Sequence, residues 1–271
     1  MKRKLLATPY LFWAIGFIIL PLITIFVNAL TDTNGQFTFA NIAAIASPIN
    51  RQALLFSLAI AAGSTVVCIL LAYPAALALR ALHLKSKSFM IFILILPMWM
   101  NFVLRILAWQ MILSKNGILN FILQGIGLPA SGISNTWVAM MIGMVYDFLP
   151  YMILPVYNAI SDIDEDVIEA AKDLGAGNRN VFLRVILPLS MPGCVSGCIM
   201  VFVPAMTSFV IADLLGGGKL LLIGNIIEQE FTQAMNWHVG SGLSVALMLL
   251  VLLGLAFSGK NESKKGESAL W

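Results

Sequence analysis

Charge is what this chain has least of. Only 11% of its 271 residues are Asp, Glu, Lys or Arg, where a soluble domain carries about a quarter. Hydrophobic residues make up 60% and the mean hydropathy is +0.93, so the solvent this sequence fits is a lipid bilayer. Histidine and cysteine are also scarce. His83 and His238 fall in separate connections, and Cys68, Cys194 and Cys198 all fall inside apolar segments. That leaves no metal-ligand set, no disulfide framework and no convincing catalytic set, so the chain reads as no enzyme. The net charge of +3 is small and dispersed, and nucleic acid is not an expected partner. Gly216-Gly217-Gly218-Lys219 lacks the spacing of a phosphate loop, since residue 213 is Asp and residue 220 is Leu. No nucleotide or other cofactor is expected on this chain.

Six apolar stretches are present: about 5–30, 52–79, 89–113, 136–158, 192–214 and 241–258, the last starting nearer Trp237. Each approaches the roughly 20 residues that cross a hydrocarbon core, and without water for their backbone groups they must be helices. The first run exceeds a signal-peptide core and is read as a retained span. Prolines 21, 74, 97, 150, 155 and 204 lie within or near spans and predict kinks, because each removes a backbone donor. With the N-terminus inside, twelve basic residues fall in inner segments: Lys2, Arg3, Lys4, Arg80, Lys85, Lys87, Lys172, Arg179, Arg184, Lys260, Lys264 and Lys265. Three, Arg51, Lys115 and Lys219, fall outside, and Arg105 lies within the third span. That bias predicts a multi-pass protein with both termini in the cytoplasm. Three regions follow: 1–51, a first span and outer loop; 52–258, a core of five spans; and 259–271, a tail. Within 114–135, Ile118 to Ile126 predicts a short helix at the outer surface.

One polar insertion, 159–191, separates spans four and five. Ser161 or Asp162 can cap a helix there, with Asp164, Glu165 and Asp166 at the positive end of its dipole. Val167, Ile168, Ala171 and Leu174 form a stripe at helical spacing. Gly175 and Gly177 supply a stop and a turn, and a second helix from Asn178 leads back to the membrane at Pro188.

Glu169-Ala170-Ala171, then Asp173, Gly175, Val185 and Leu187-Pro188 resemble the EAA loop of ABC importer permeases. The family pattern has Ile where Val185 stands. The resemblance implies an all-α, six-span integral membrane protein with the type I ABC importer permease (MetI-like) fold. It implies that the helix around Asp164–Leu174 is a coupling helix seated on a separate ATPase, with Glu169, Ala170, Ala171, Asp173, Gly175, Leu187 and Pro188 as coupling residues. Expected partners are an ABC ATPase dimer that uses ATP and Mg, a second homologous permease, an extracytoplasmic solute-binding protein and the bilayer of a bacterial plasma membrane.

Pro97, Trp99, Asn101, Leu104, Arg105, Ala108, Trp109, Gly117 and Leu119-Asn120 are similar to the third-span region of spermidine/putrescine permeases. Tyr146 to Tyr157, Phe209 to Gly217 and Gly224-Asn225 fit the same branch. Permeases for thiamine, ferric iron and some anions share parts of these motifs and are the alternatives, with a secondary carrier as a rival class. A polyamine route calls for carboxylates and aromatic faces. Asp147 and Asp213 are candidates for the former, and Trp99, Tyr146 and Trp109 for the latter. Asp147 either lines the route or pairs with Arg105, and Asp213 either lines it or anchors its helix at the interface. Gly193 and Gly197 form a G-x-x-x-G that predicts close helix packing.

Overall fold

The computed structural model describes residues 8–81 and 96–268. Within them the chain is helical, with one isolated bridge between Thr31 and Phe37. Six helices are long and apolar enough to cross a membrane: Phe12–Leu30, Pro48–Ala81, Phe102–Gly125, Trp137–Ser161, Asn178–Thr207 and Trp237–Ala256. They are called spans one to six below. Lys2, Arg3, Lys4, His83, Lys85, Lys87 and the 89–95 part of the expected third span lie outside the described residues.

Proline sets the irregularities of these helices. Pro21 and Pro188 each follow a π-helical turn, Ile15–Ile19 and Phe182–Ile186, closed by the N–H of the residue before the proline reaching back five positions. Neither proline can donate to the carbonyl four residues earlier, so the widened turn takes up the mismatch. Pro74, Pro150 and Pro155 instead lie inside helices that continue through them.

Two spans differ from their expected form. A single helix over 89–113 does not form: a 3-10 turn at Leu96–Trp99 is followed by Asn101 in an extended conformation, and a helix starts at Phe102. The Asn101 side chain accepts from the N–H groups of Val103 at 2.9 Å and Leu104 at 3.2 Å, which caps that start. The same span resumes as Ile118–Gly125, so the predicted short helix is present and extends the apolar stretch beyond Leu113. The expected fifth span, 192–214, breaks at Ser208 into Leu187–Thr207 and Phe209–Gly216. Three residues after Pro204 the Thr207 hydroxyl donates to the carbonyls of Val203 and Pro204 at 3.4 and 3.3 Å, a side-chain bond that competes with continuation of the helix.

By contacts the chain divides into two compact units, Met1–Leu55 with Ile223–Phe257 and Phe56–Leu222 with Ser258–Trp271. In the first, Ala53, Ile226 and Leu243 form a small core against Ala44, Ile45, Ile227 and Val239. The buried amide of Asn41 donates to the carbonyls of Ala29 at 3.3 Å and Thr31 at 2.8 Å, so the end of span one is fixed by a side chain that composition does not mark.

In the second unit span four is central: 44% of its apolar window is buried. Glycines set its spacing from span five. A Cβ on Gly193 would stand 2.5 Å from the Pro155 carbonyl and also meet Ala159, and one on Gly197 would stand 2.7 Å from the Met152 sulfur. The G-x-x-x-G is therefore the contact surface of span five on span four, as expected. On the other side Gly143 packs against the side chains of Leu215 and Ile211, and a Cβ there would require the end of Leu215 to shift.

Candidate functional site

The polar insertion is built by local capping at both ends. Span four runs to Ser161 with Asp162 as its C-cap, so neither residue caps the next helix, contrary to the sequence expectation. Asp164 does: it is extended, and its carboxylate accepts from the Asp166 N–H at 3.4 Å. Helix Glu165–Asp173 carries Glu165 and Asp166 in its first turn and Lys172 in its last, charges matched to the dipole at both ends. At its C-terminus Gly175 takes φ +83°. Its N–H donates to the Lys172 carbonyl at 2.8 Å, and the Ala176 N–H donates to the Ala171 carbonyl at 3.1 Å. These are the two bonds of a Schellman stop, which places glycine in the left-handed region at this position.

After the stop, Asn178–Val181 begins the rise back, the π turn Phe182–Ile186 follows, and Leu187-Pro188 opens the long part of span five. The sequence motif thus marks three mechanical points: an exposed helix, its stop and the proline-driven change of pitch. No residue of Glu165–Asp173 is buried within this chain. Glu169, Ala170 and Asp173 are exposed, and Ala171 is half-buried. The stripe expected from spacing divides: Ile168 is half-buried, whereas Val167 is 46% and Leu174 is 89% exposed.

Two residues that tie this insertion down were missed from sequence. Arg80, counted there as one more inner positive charge, lies in the last turn of span two and donates to the carbonyls of Ile160 and Ile163. Tyr73 hydrogen-bonds to Ser190. Both contacts join residues about 80 or more positions apart, and no local pattern signals them.

Among the five expected pathway residues the structure brings three together. The carboxylate of Asp147 forms an ion pair with Arg105, both nearly buried. One helical turn along span three and one residue earlier in span four, Trp109 and Tyr146 meet edge to face with centroids 5.2 Å apart. Asp147 is thus paired with Arg105, and this pairing joins the third and fourth spans. Trp99 is 76% exposed. Asp213 is exposed on helix Phe209–Gly216, next to Leu214, whose carbonyl accepts from the Gln110 amide at 2.7 Å. Gln110 also lines an open hollow of about 780 Å³ with Ser114, Asn116, Ser134 and Asn135.

Residues 5–259 match the model of the family described as binding-protein-dependent transport system inner membrane component. The chain belongs to that family. It is similar to the spermidine/putrescine transport system permease protein PotB of Haemophilus influenzae, 41% identical over 89% of this chain and 87% of that one. The PotB protein of Escherichia coli K12 is 38% identical over 90% of this chain and 91% of that one. The inner membrane ABC transporter permease protein YdcU of E. coli K12 is 31% identical over 82% and 75%. In fold the chain resembles a solved bacterial ABC transporter involved in import of the acidic polysaccharide alginate, with TM-score 0.80 and 17% identity over 97% of this chain and 96% of that one. As a member of this family, the chain is a multi-pass membrane permease with an ABC importer fold. The family match encloses both the insertion and the Arg105–Asp147 pair.

Proposed function

We infer that this chain is the permease subunit of an ATP-driven importer of polyamines of the spermidine and putrescine class. The observation that carries the substrate class is its similarity, over about nine-tenths of its length, to permeases that bear that name. The exposed, capped helix Glu165–Asp173 carries the mechanism. It supplies a rigid contact for an ATPase, with Glu169 and Asp173 available to basic groups and Ala170 and Ala171 allowing close approach. Gly175 turns the chain sharply away, and Leu187 and Pro188 set the pitch at which the insertion enters span five. ATP and Mg belong to the ATPase dimer, whose closure moves the helix and tilts the spans attached to it.

The remaining partners are a second permease of similar fold, which completes the route, and an extracytoplasmic binding protein that delivers substrate. The insertion and both termini face the cytoplasm of a bacterial plasma membrane, an orientation supported by twelve basic residues in inner segments against three in outer ones. On the route, Asp213 offers a carboxylate to a substrate ammonium and Trp99, Trp109 and Tyr146 offer aromatic faces. Asp147 also lies on the route beside Tyr146 and Trp109, where it holds Arg105 neutralised, so that a polycation does not meet an uncompensated positive charge.

The test is uptake of labelled spermidine and putrescine in cells lacking the chain and every redundant polyamine system, with and without the restored gene. Restored uptake that stops on ATP depletion is the expected result. Uptake of thiamine, ferric iron or an anion in place of polyamines would overturn the substrate class and leave the permease assignment standing.

A further inference from the structure

Both arms of the insertion end on one face of span two. Arg80 places its two terminal guanidinium nitrogens on the carbonyls of Ile160, at 2.6 Å, and Ile163, at 2.9 Å. Ile160 is in the last turn of span four, and Ile163 immediately precedes the Asp164 cap. The last carbonyls of a helix are incompletely satisfied by the backbone, that of Ile160 accepting only a long bond from the Ile163 N–H at 3.4 Å besides the cap contact of Asp162, and the dipole favours a cation there, so the upstream arm is fixed at its root. Seven residues earlier, two turns along the same face, Tyr73 holds the downstream arm. Its hydroxyl lies 2.7 Å from that of Ser190. The Ser190 hydroxyl also reaches the Leu187 carbonyl at 3.2 Å, so it can donate there while it accepts from Tyr73. The Tyr73 ring also meets Phe182, the first residue of the π turn, edge to face at 5.7 Å.

The helix between these two footings has no buried residue of its own, so its position relative to the spans is set at its ends. Beside Tyr73 lies Pro74, which cannot donate to the Leu70 carbonyl. That gives span two a point at which its last two turns can tilt as a piece.

We propose that Tyr73 and Arg80 are positioning residues that transmit displacement of helix Glu165–Asp173 into span two and thereby make transport depend on ATP hydrolysis. This rests on the reading of that helix as the ATPase contact. The side-chain types are specific to the task. A lysine at position 80 keeps the charge but, as a single ammonium, does not hold two carbonyls in a fixed fork. A phenylalanine at position 73 keeps the ring contact and loses only the bond to Ser190.

The experiment uses the complete complex, this chain with the second permease, the ATPase and the binding protein, in proteoliposomes with spermidine as the probe. Arg80→Lys and Tyr73→Phe are compared with wild type for ATPase retained on purification, thermal stability, and spermidine moved per ATP hydrolysed. The ATPase is expected to stay bound in both variants with stability near wild type, while spermidine per ATP falls about fivefold or more, the lower end of ordinary coupling effects. A loss of packing alone would lower stability and leave that ratio unchanged. Wild-type ratios in both variants, with the ATPase bound, overturn the proposal. Should Arg80→Lys fail to assemble, Tyr73→Phe, which removes one oxygen atom, decides by the same ratio. A wild-type chain that retains no ATPase overturns the reading of the insertion itself.

Discussion

Asp147 and Arg105 show what a charge requires inside a bilayer. Either one alone would be costly at that depth, and each is the other's partner. Removing one side of a buried pair leaves the other uncompensated, at a cost of about 3–5 kcal/mol, whereas replacing both with apolar groups is often neutral. Asp147→Asn is therefore expected to lower the thermal stability of the purified complex, and Arg105→Met with Asp147→Leu to recover most of it. Equal melting temperatures for wild type and the single variant would contradict the pairing. Asp213 differs, being exposed. Asp213→Asn is expected to raise the KM for spermidine uptake several-fold without loss of stability, and an unchanged KM would remove Asp213 from the route. Sequence identified all three residues as unusual because ionisable groups are rare in apolar runs. It left the pairing of Asp147 with Arg105 as one of two alternatives because 42 positions separate them and no local rule spans that distance.

Elements were legible where their signals are local. Glu169-Ala170-Ala171 with Gly175 marked an exposed helix and its stop, and the structure places Gly175 at φ +83°, a conformation that costs an L-residue with a Cβ about 1–2 kcal/mol. Gly175→Val is expected to leave the spans folded, misdirect the end of the coupling helix and reduce ATPase co-purification. Full retention of the ATPase with normal uptake would remove that helix from the coupling role. The cap was misread because Ser161, Asp162 and Asp164, all residue types that can cap, stand within four residues, and only the true end of span four selects Asp164. The break at Ser208 was missed for a related reason. Hydropathy continues smoothly across it, and the competing bonds come from one threonine hydroxyl. The contacts of Arg80 were not legible because a cation near the end of a span fits the positive-inside pattern whether it faces water or a helix terminus.

At the scale of the molecule, hydropathy alone carried the class, since six apolar helices in a chain with 11% charged residues have one solvent in which to fold. Which helices pack was less legible. Gly193 and Gly197 pointed to a contact surface, but its partner, Met152 to Ala159 on span four, emerged from the fold. In the proposed assembly this chain supplies one wall of the substrate route, so the route residues are the least legible part. The decisive measurement is accumulation of labelled spermidine in proteoliposomes holding the purified complex, with binding protein outside and ATP inside. ATP-dependent accumulation that disappears when this chain is omitted is the predicted result. Accumulation without ATP, driven by an ion gradient, or none at all from a complex that hydrolyses ATP in response to its loaded binding protein, would contradict an ATP-driven polyamine permease.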